Sequence, residues 1–182
     1  MIAGVDEVGR GCIAGPVVAA AVILQANIEG IKDSKKLSVK KRNELSELIK
    51  SNSIYSFGMS SSDEIDELNI QNATFLAMQR AVKNLSVQPK KILVDGNQVF
   101  ETNLPIEAIV GGDNLITSIS AASIIAKVYR DKIMQDLAAK FPHYSFEKHK
   151  GYPTKQHYEA IKHHGICCLL YTSRAHETNQ DL

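Results

Sequence analysis

Four carboxylates stand where chemistry is easiest to build. Asp6 and Glu7 end the apolar run that opens the chain, Asp95 ends the run KILVD at residues 91–95, and Asp113 follows the run at 106–110 behind two glycines. In a layered α/β fold, sites gather at strand ends. Three or four carboxylates meeting there would repel one another and raise each other's proton affinity. A divalent cation removes that cost. Mg²⁺ prefers oxygen ligands and keeps several waters, so two to four carboxylates completed by substrate phosphate oxygens suit it. Two such ions can activate a water and stabilise the leaving oxygen of a phosphodiester. The plainer reading is that a chain with 20 Asp and Glu places several after strands by composition alone. Asp6 and Glu7 also face opposite ways on a straight strand. They can share a site only if the chain bends there, and Gly4, Gly9 and Gly11 allow a bend or bulge.

The next residues are Gly9-Arg10-Gly11. Glycines let a backbone approach a ligand closely, and an Arg between them could meet a phosphate. Backbone groups that bond a 2′-hydroxyl would distinguish ribose from deoxyribose. A simple turn with an exposed Arg is the alternative.

These residues need elements to hold them. The runs at 1–5 and 16–24 flank a Gly-rich connection and predict a hairpin. Ser38 is a good N-cap for a helix carrying Arg42, Leu45, Leu48 and Ile49. Residues 54–59 read as a strand, 62–68 and 73–85 as two helical regions, 91–95 and 106–110 as strands, and 115–141 as the longest helix. Thr154 caps a last helix ending near His164. Strands first, then strands alternating with helices, imply an α/β fold with a mixed sheet.

Composition narrows the class. The chain has 182 residues, 44% hydrophobic, with three Cys, two of them adjacent. That excludes a disordered chain, a disulfide scaffold and a four-cysteine zinc site. The longest apolar run, at 13–24, is too short to span a bilayer, so no membrane association and a cytoplasmic location are expected. Net charge is only +1, but the charge is segregated. Residues 32–50 carry seven Lys/Arg against three Asp/Glu, residues 127–162 carry eight against four, and Asp63, Glu64, Asp66 and Glu67 form an acidic block. Such segregation can make a local phosphate-binding surface; solvated helix faces are the alternative.

The run GVDEVGRGCIAGPVVAAAVIL at 4–24 resembles the opening of type 2 ribonuclease H, ribonuclease HII. Four further blocks agree in order and spacing: DSKKL at 33–37, LVDGN at 93–97, GGD…SISAASIIAKVYRD at 111–131 and HKGYPTKQH at 149–157. The resemblance implies a ribonuclease H-like fold, with a mixed five-stranded sheet flanked by helices and a small helical C-terminal part. It implies a catalytic core over 1–140 and a C-terminal helical segment over 141–182. It further implies an endonuclease, needing Mg²⁺ or Mn²⁺, that cuts the RNA strand of RNA–DNA hybrids and the 5′ side of ribonucleotides embedded in duplex DNA, leaving 3′-hydroxyl and 5′-phosphate. The family's metal-binding carboxylates match Asp6, Glu7, Asp95 and Asp113. Its substrate-binding residues match Gly9, Arg10, Gly11, Lys35, Lys36 and Tyr152, the last contacting the 2′-hydroxyl. A monomer is expected. The rival readings are another two-metal nuclease of the same fold and a hybrid-binding protein without catalysis.

Other polar residues are given plainer roles. Ser118, Ser120 and Ser123 read as helix-start and packing residues, Asp131 as an ion-pair partner, and Cys12 as a small core residue. His149, His157, His163 and His164 read as phosphate contacts or surface. After Gly165 the resemblance stops: a His-Arg-Arg-Ser-Phe-like block is expected, and CCLLYTSRAHETNQDL stands instead. CLLYTS at 168–173 is what TGTCTCTTATACACATCT encodes, a string matching a common transposase-based sequencing adapter. About residues 168–182 are therefore expected to be non-native and to dock poorly.

Overall fold

The structure, a computed structural model, describes residues 1–31 and 37–170. The N-terminal runs pair as the expected antiparallel hairpin, β1 (Ile2–Val8) with β2 (Val17–Leu24). On the far side of β2 lies β3 (Ser53–Ser60), also antiparallel. On the far side of β1 lie β4 (Lys91–Asp95) and β5 (Ile106–Ile109), both parallel. The sheet order is β3-β2-β1-β4-β5.

Helices cover both faces, which is why β2 reads VVAAAVIL without alternation: a strand buried on both sides is apolar throughout. Its Val17, Ala19, Ala21 and Ile23 face α2 (Ser62–Lys83). Its Ala20 and Val22 face α1 (Val39–Ser51) and α4 (Thr117–Lys140). Ser38 caps α1, its Oγ accepting the Lys41 N–H at 3.3 Å. Ser61 and Glu64 form a capping box that opens α2. Glu64 is also bonded by both guanidinium nitrogens of Arg80, which together with the Ser61 N–H hold its carboxyl at about 2. The outer edge of β3 is blunted by side chains: Arg80 donates to the Met59 carbonyl at 2.7 Å and Asn84 to that of Phe57 at 3.0 Å.

The two helical regions expected at 62–68 and 73–85 are the two parts of α2, which break at Asn69, where φ and ψ are not helical. The helix expected at 115–141 is α4; Leu115 belongs to a separate turn, α3 (Gly112–Leu115), and Ile116 between them is extended. One sequence expectation changes. The bend expected between Asp6 and Glu7 is absent: the β1–β2 ladder runs unbroken from Gly4↔Val22 to Val8↔Val18. The chain turns only at Gly9, whose φ is 108°.

Beyond α4 come a 3-10 turn (Pro142–Tyr144), α5 (Phe146–His149) and α6 (Lys155–His164), capped by Thr154 as expected. Their apolar side chains pack on Ile13, Ala14 and Met134. The poor docking expected of about residues 168–182 is not seen in their described part, residues 168–170. Leu170 is buried and bridges Ala14, and the Leu169 carbonyl accepts from Gly15 N–H at 2.9 Å and from the Ser62 hydroxyl at 3.0 Å. Residues 171–182 lie outside the described residues.

Gly4 marks a tight contact of sheet and helix, as Gly58 does against α2. A Cβ placed there would lie 2.2 Å from the Ser118 carbonyl carbon and 2.4 Å from the Ile119 nitrogen, backbone atoms of the first turn of α4. The helix start cannot retreat without carrying Asp113 and Ser123 with it. Gly4→Ala is therefore expected to cost about 3 kcal/mol or more, from overpacking against rigid backbone. Urea unfolding of the variant measures this, and a cost within about 0.5 kcal/mol, typical of a neutral surface change, would contradict it.

Candidate active site

Parallel pairing of β1 and β4 places Val5 beside Val94, so Asp6, two residues short of the end of β1, comes next to Asp95, the last residue of β4. Gly4 abuts α4, so strand alternation aims Asp6 at α4, while Ala3 and Val5 pack toward α2 and Glu7 shares their side. The two neighbours are thus on opposite faces and approach only around the strand end. Asp113 arrives from α3: its N–H donates to Asp95 Oδ1 at 3.3 Å, and its Oδ1 accepts from Asn114 at 2.7 Å. The Ser120 hydroxyl donates to the Asp113 carbonyl and fixes the α3–α4 junction.

Asp6 is 5% exposed and Asp113 2%. Burial raises the Asp6 carboxyl well above its ordinary range, and the Glu7 and Asp95 charges raise it further; a hydrogen bond from Ser123 and the Glu7 N–H, at 2.8 Å, oppose this. Burial also raises Glu7, with Arg10 lowering it and Asp95 raising it. Each of these carboxyls therefore feels a neighbour's charge. Among the described residues, no group of three or more His, Cys, Asp or Glu side chains is gathered so that it could by itself hold a metal ion. The donors are an open, oxygen-only set, the chemistry of an ion that keeps waters and takes ligands from a substrate.

Beside the carboxylates lies a cleft of about 320 Å³ bordered by Glu7, Val8, Arg42, Ser123, Lys127 and Tyr152. The Gly-Arg-Gly loop adjoins it, Arg10 Nη1 donating to Glu7 Oε1 at 3.2 Å. Cys12 N–H closes the turn onto the Gly9 carbonyl at 3.1 Å, and Ile13 N–H reaches the Gly151 carbonyl at 2.9 Å, tying this loop to the one carrying Tyr152. Gly11 and Tyr152 are adjacent: a Cβ on Gly11 would lie 3.7 Å from the ring. Lys127 Nζ and Arg130 Cζ each lie 6.0 Å from the centre of the Tyr152 ring. Gly9, Arg10, Gly11 and Tyr152 are thus brought together with Glu7. Lys35 and Lys36 lie outside the described residues.

Sequence reading missed several residues. Arg130 is completely buried, and its guanidinium donates to three carbonyls: Pro16 at 2.8 Å, Lys150 at 2.7 Å and Ala14 at 3.1 Å. Its signal was there: Ala126, Arg130 and Met134 recur at four-residue spacing, so the Arg stands in the apolar stripe of a helix. Ser123 was read as packing, yet it bonds Asp6. Asp131 is the expected ion-pair partner, with Lys127 at 2.5 Å, and Cys12 is buried as expected. His149 and His157 correct the surface reading. They are buried and stacked, ring centres 4.2 Å apart, because Phe146 packs edge-on against both. Their ring nitrogens bond the Tyr144 carbonyl at 2.7 Å and the Tyr152 carbonyl at 3.0 Å, so they support the Tyr152 loop from beneath.

A family model described as Ribonuclease HII matches residues 3–177. The ribonuclease HII of Shewanella pealeana is 58% identical over 167 residues, which are 90% of this chain and 82% of that protein. The crystal structure of ribonuclease H2 from Pyrococcus horikoshii superposes with a TM-score of 0.80 at 29% identity, covering 94% of this chain and 92% of that one. The Bst ribonuclease HIII, solved in complex with Mn²⁺, shares the fold with a TM-score of 0.68 at 18% identity, covering 92% of this chain and 64% of that one.

Two measurements follow from the electrostatics. The folded chain keeps the Asp6 proton to higher pH than the unfolded chain, whose value is 3.8. In chelator, the native state is therefore penalised as pH rises above that value. Asp6→Asn is expected to raise Tm at pH 7, by about 2–4 °C for each ~1 kcal/mol of repulsion removed; a lowered Tm would refute the repulsion. His157 shifts the other way. Burial holds it at about 4 against 6.5 in the unfolded chain, so its contribution is complete above pH 6.5 and is lost as pH falls toward 4. The loss approaches ~1.4 kcal/mol per pH unit at most. Urea midpoints should drop across that window, and His157→Gln should flatten the slope; equal slopes would contradict a neutral buried imidazole.

Proposed function

The chain belongs to the ribonuclease HII family and is an endoribonuclease, a hydrolase of phosphodiester bonds; from that premise we propose that it cuts the RNA strand of RNA–DNA hybrids, and the 5′ side of single ribonucleotides in duplex DNA, leaving 3′-hydroxyl and 5′-phosphate. The observation that carries this reading is the placement of Asp6 next to Asp95 on neighbouring strands, with the Asp113 N–H on Asp95 and with Glu7, bonded by Arg10, bordering the cleft that Tyr152 also lines. The donor set fits a divalent cation, because buried carboxyls whose proton affinity is raised by burial and by neighbouring charge, as at Asp6 and Glu7, gain from one. Asp6, Glu7, Asp95 and Asp113 would hold Mg²⁺ or Mn²⁺. When bound, two such ions would supply an activated water and charge stabilisation for the 3′-oxygen leaving group.

The chain's own residues do the rest. Ser123 and the Glu7 N–H hold the Asp6 carboxylate in one orientation. The Asp113 N–H does the same for Asp95. The Gly-Arg-Gly loop presents backbone groups beside the cleft, where a 2′-hydroxyl can be bonded. A site whose polar groups are left unpaired by deoxyribose rejects it strongly. Tyr152, 37% exposed and pinned between Gly11 and Lys127, offers a ring face and a hydroxyl to the sugar. Arg42 and Lys127 border the same cleft and can meet phosphates without sequence preference. The protein acts in the cytoplasm, as a monomer, on this reading.

The test is cleavage of a DNA duplex containing one ribonucleotide, with Mg²⁺ and separately Mn²⁺, beside an all-DNA duplex. The expected result is a single cut 5′ to the ribonucleotide, none in all-DNA, and none in chelator. Asp95→Asn should slow the cut by about 100-fold or more. Cutting of all-DNA would favour another nuclease activity of this fold; tight binding without cutting would favour the hybrid-binding alternative.

A further inference from the structure

The kink in α2 sits next to the Gly-Arg-Gly loop. Asn69 has φ 66° and ψ 163° inside the helix, a left-handed φ that residues other than glycine rarely hold, Asn among the most tolerant. Its Oδ1 accepts the N–H groups of Gln71 at 3.0 Å and Asn72 at 3.1 Å. Those are the bonds of an N-cap, so α2 is two helices joined end to end, and Gln71 lies in the first turn of the second. Gln71 Oε1 accepts from Arg10 Nη2 at 2.8 Å, while Arg10 Nη1 donates to Glu7 Oε1 at 3.2 Å. One guanidinium thus joins the second half of α2, the glycine loop and a carboxylate of the site.

We propose that Gln71 is a positioning residue, set by the Asn69 cap, that holds Arg10 in its substrate-ready pose. This rests on the functional reading above, in which Arg10 meets the substrate. The Arg10 side chain is 46% exposed, and an exposed arginine loses much rotamer freedom when it docks a ligand. Two fixed acceptors on one guanidinium remove part of that loss before the substrate arrives. The Asn69 cap matters because an unbroken helix through residue 69 would change the direction of the second segment and carry Gln71 with it. A position one residue away would also fail, since neighbouring helix residues do not face the same way.

The experiment compares wild type with Gln71→Leu, Gln71→Glu, Arg10→Ala and the Gln71→Leu/Arg10→Ala pair. The first readout needs no substrate or metal. Arg10 guanidinium resonances in NMR spectra should be resolved and slow to exchange in wild type and Gln71→Glu, and should merge with those of solvated arginines in Gln71→Leu. The second readout is kinetic, on the single-ribonucleotide duplex. Gln71→Leu should raise KM about tenfold, the loss of one hydrogen bond to a charged group, with kcat within about threefold. Gln71→Glu, which keeps the acceptor, should restore KM to within about twofold, and the double variant should lose no more than Arg10→Ala alone. Arg10 resonances unchanged in Gln71→Leu, or losses that multiply in the double variant, would overturn the proposal. Arg10 released by Gln71→Leu in a protein that cuts no ribonucleotide-containing duplex would uphold the positioning and overturn the substrate reading instead.

Discussion

One buried cation organises the loops beside the cleft of this fold. Arg130 gives its guanidinium to three backbone carbonyls, Ala14, Pro16 and Lys150, from segments far apart in sequence. A buried charge is costly unless well bonded, and carbonyl dipoles supply the bonding here. The loop after Arg10 and the loop before Tyr152 are thereby fixed to one helix and hence to each other. The space under them is full: Met134 lies one turn further on, so close that a Cβ on Gly15 would stand 2.5 Å from its sulfur. Replacing Arg130 would leave three carbonyls to find new donors in a region closed to water.

The anions nearby are treated in the opposite way. The fold gives Arg130 three carbonyl partners, yet it sets Asp6, Glu7 and Asp95 where Glu7 and Asp95 raise the proton affinity of Asp6, and Asp95 that of Glu7. Local consistency is the rule in folded chains, and violations concentrate where function needs them. Arg130 is bonded by the backbone; of the carboxylates, Glu7 meets Arg10.

Much of this was readable from sequence because it is local. β4 was found from KILVD and its carboxylate end, α6 from Thr154, α1 from Ser38, and β2 from a run apolar enough to be buried on both faces. The carboxylate set followed from strand ends alone. What escaped reading depends on distant partners. Arg130 meets residues 114 and 116 positions away, and nothing in VYRD announces a carbonyl acceptor. His149 and His157 sit among lysines, which suggested surface, but Phe146 and each other's rings enclose them. Asp6 and Glu7 seemed to need a bend; the strand is straight, and the end of a sheet is thin enough for both faces to be reached.

The bridge between Ala14 and Leu170 has a consequence for how the chain assembles on the ribosome. The first hairpin emerges early, but β1 lies in the middle of the sheet and needs β4 on its free side. The loop joining β1 to β2 then waits still longer, for Arg130, Gly151 and finally Leu169 and Leu170. Contacts of such separation close late. A nascent chain halted before α4 therefore exposes an apolar hairpin with no lid, a state open to chaperones and to aggregation. The Gly-Arg-Gly loop is made well before α4 and is among the last parts to take its shape.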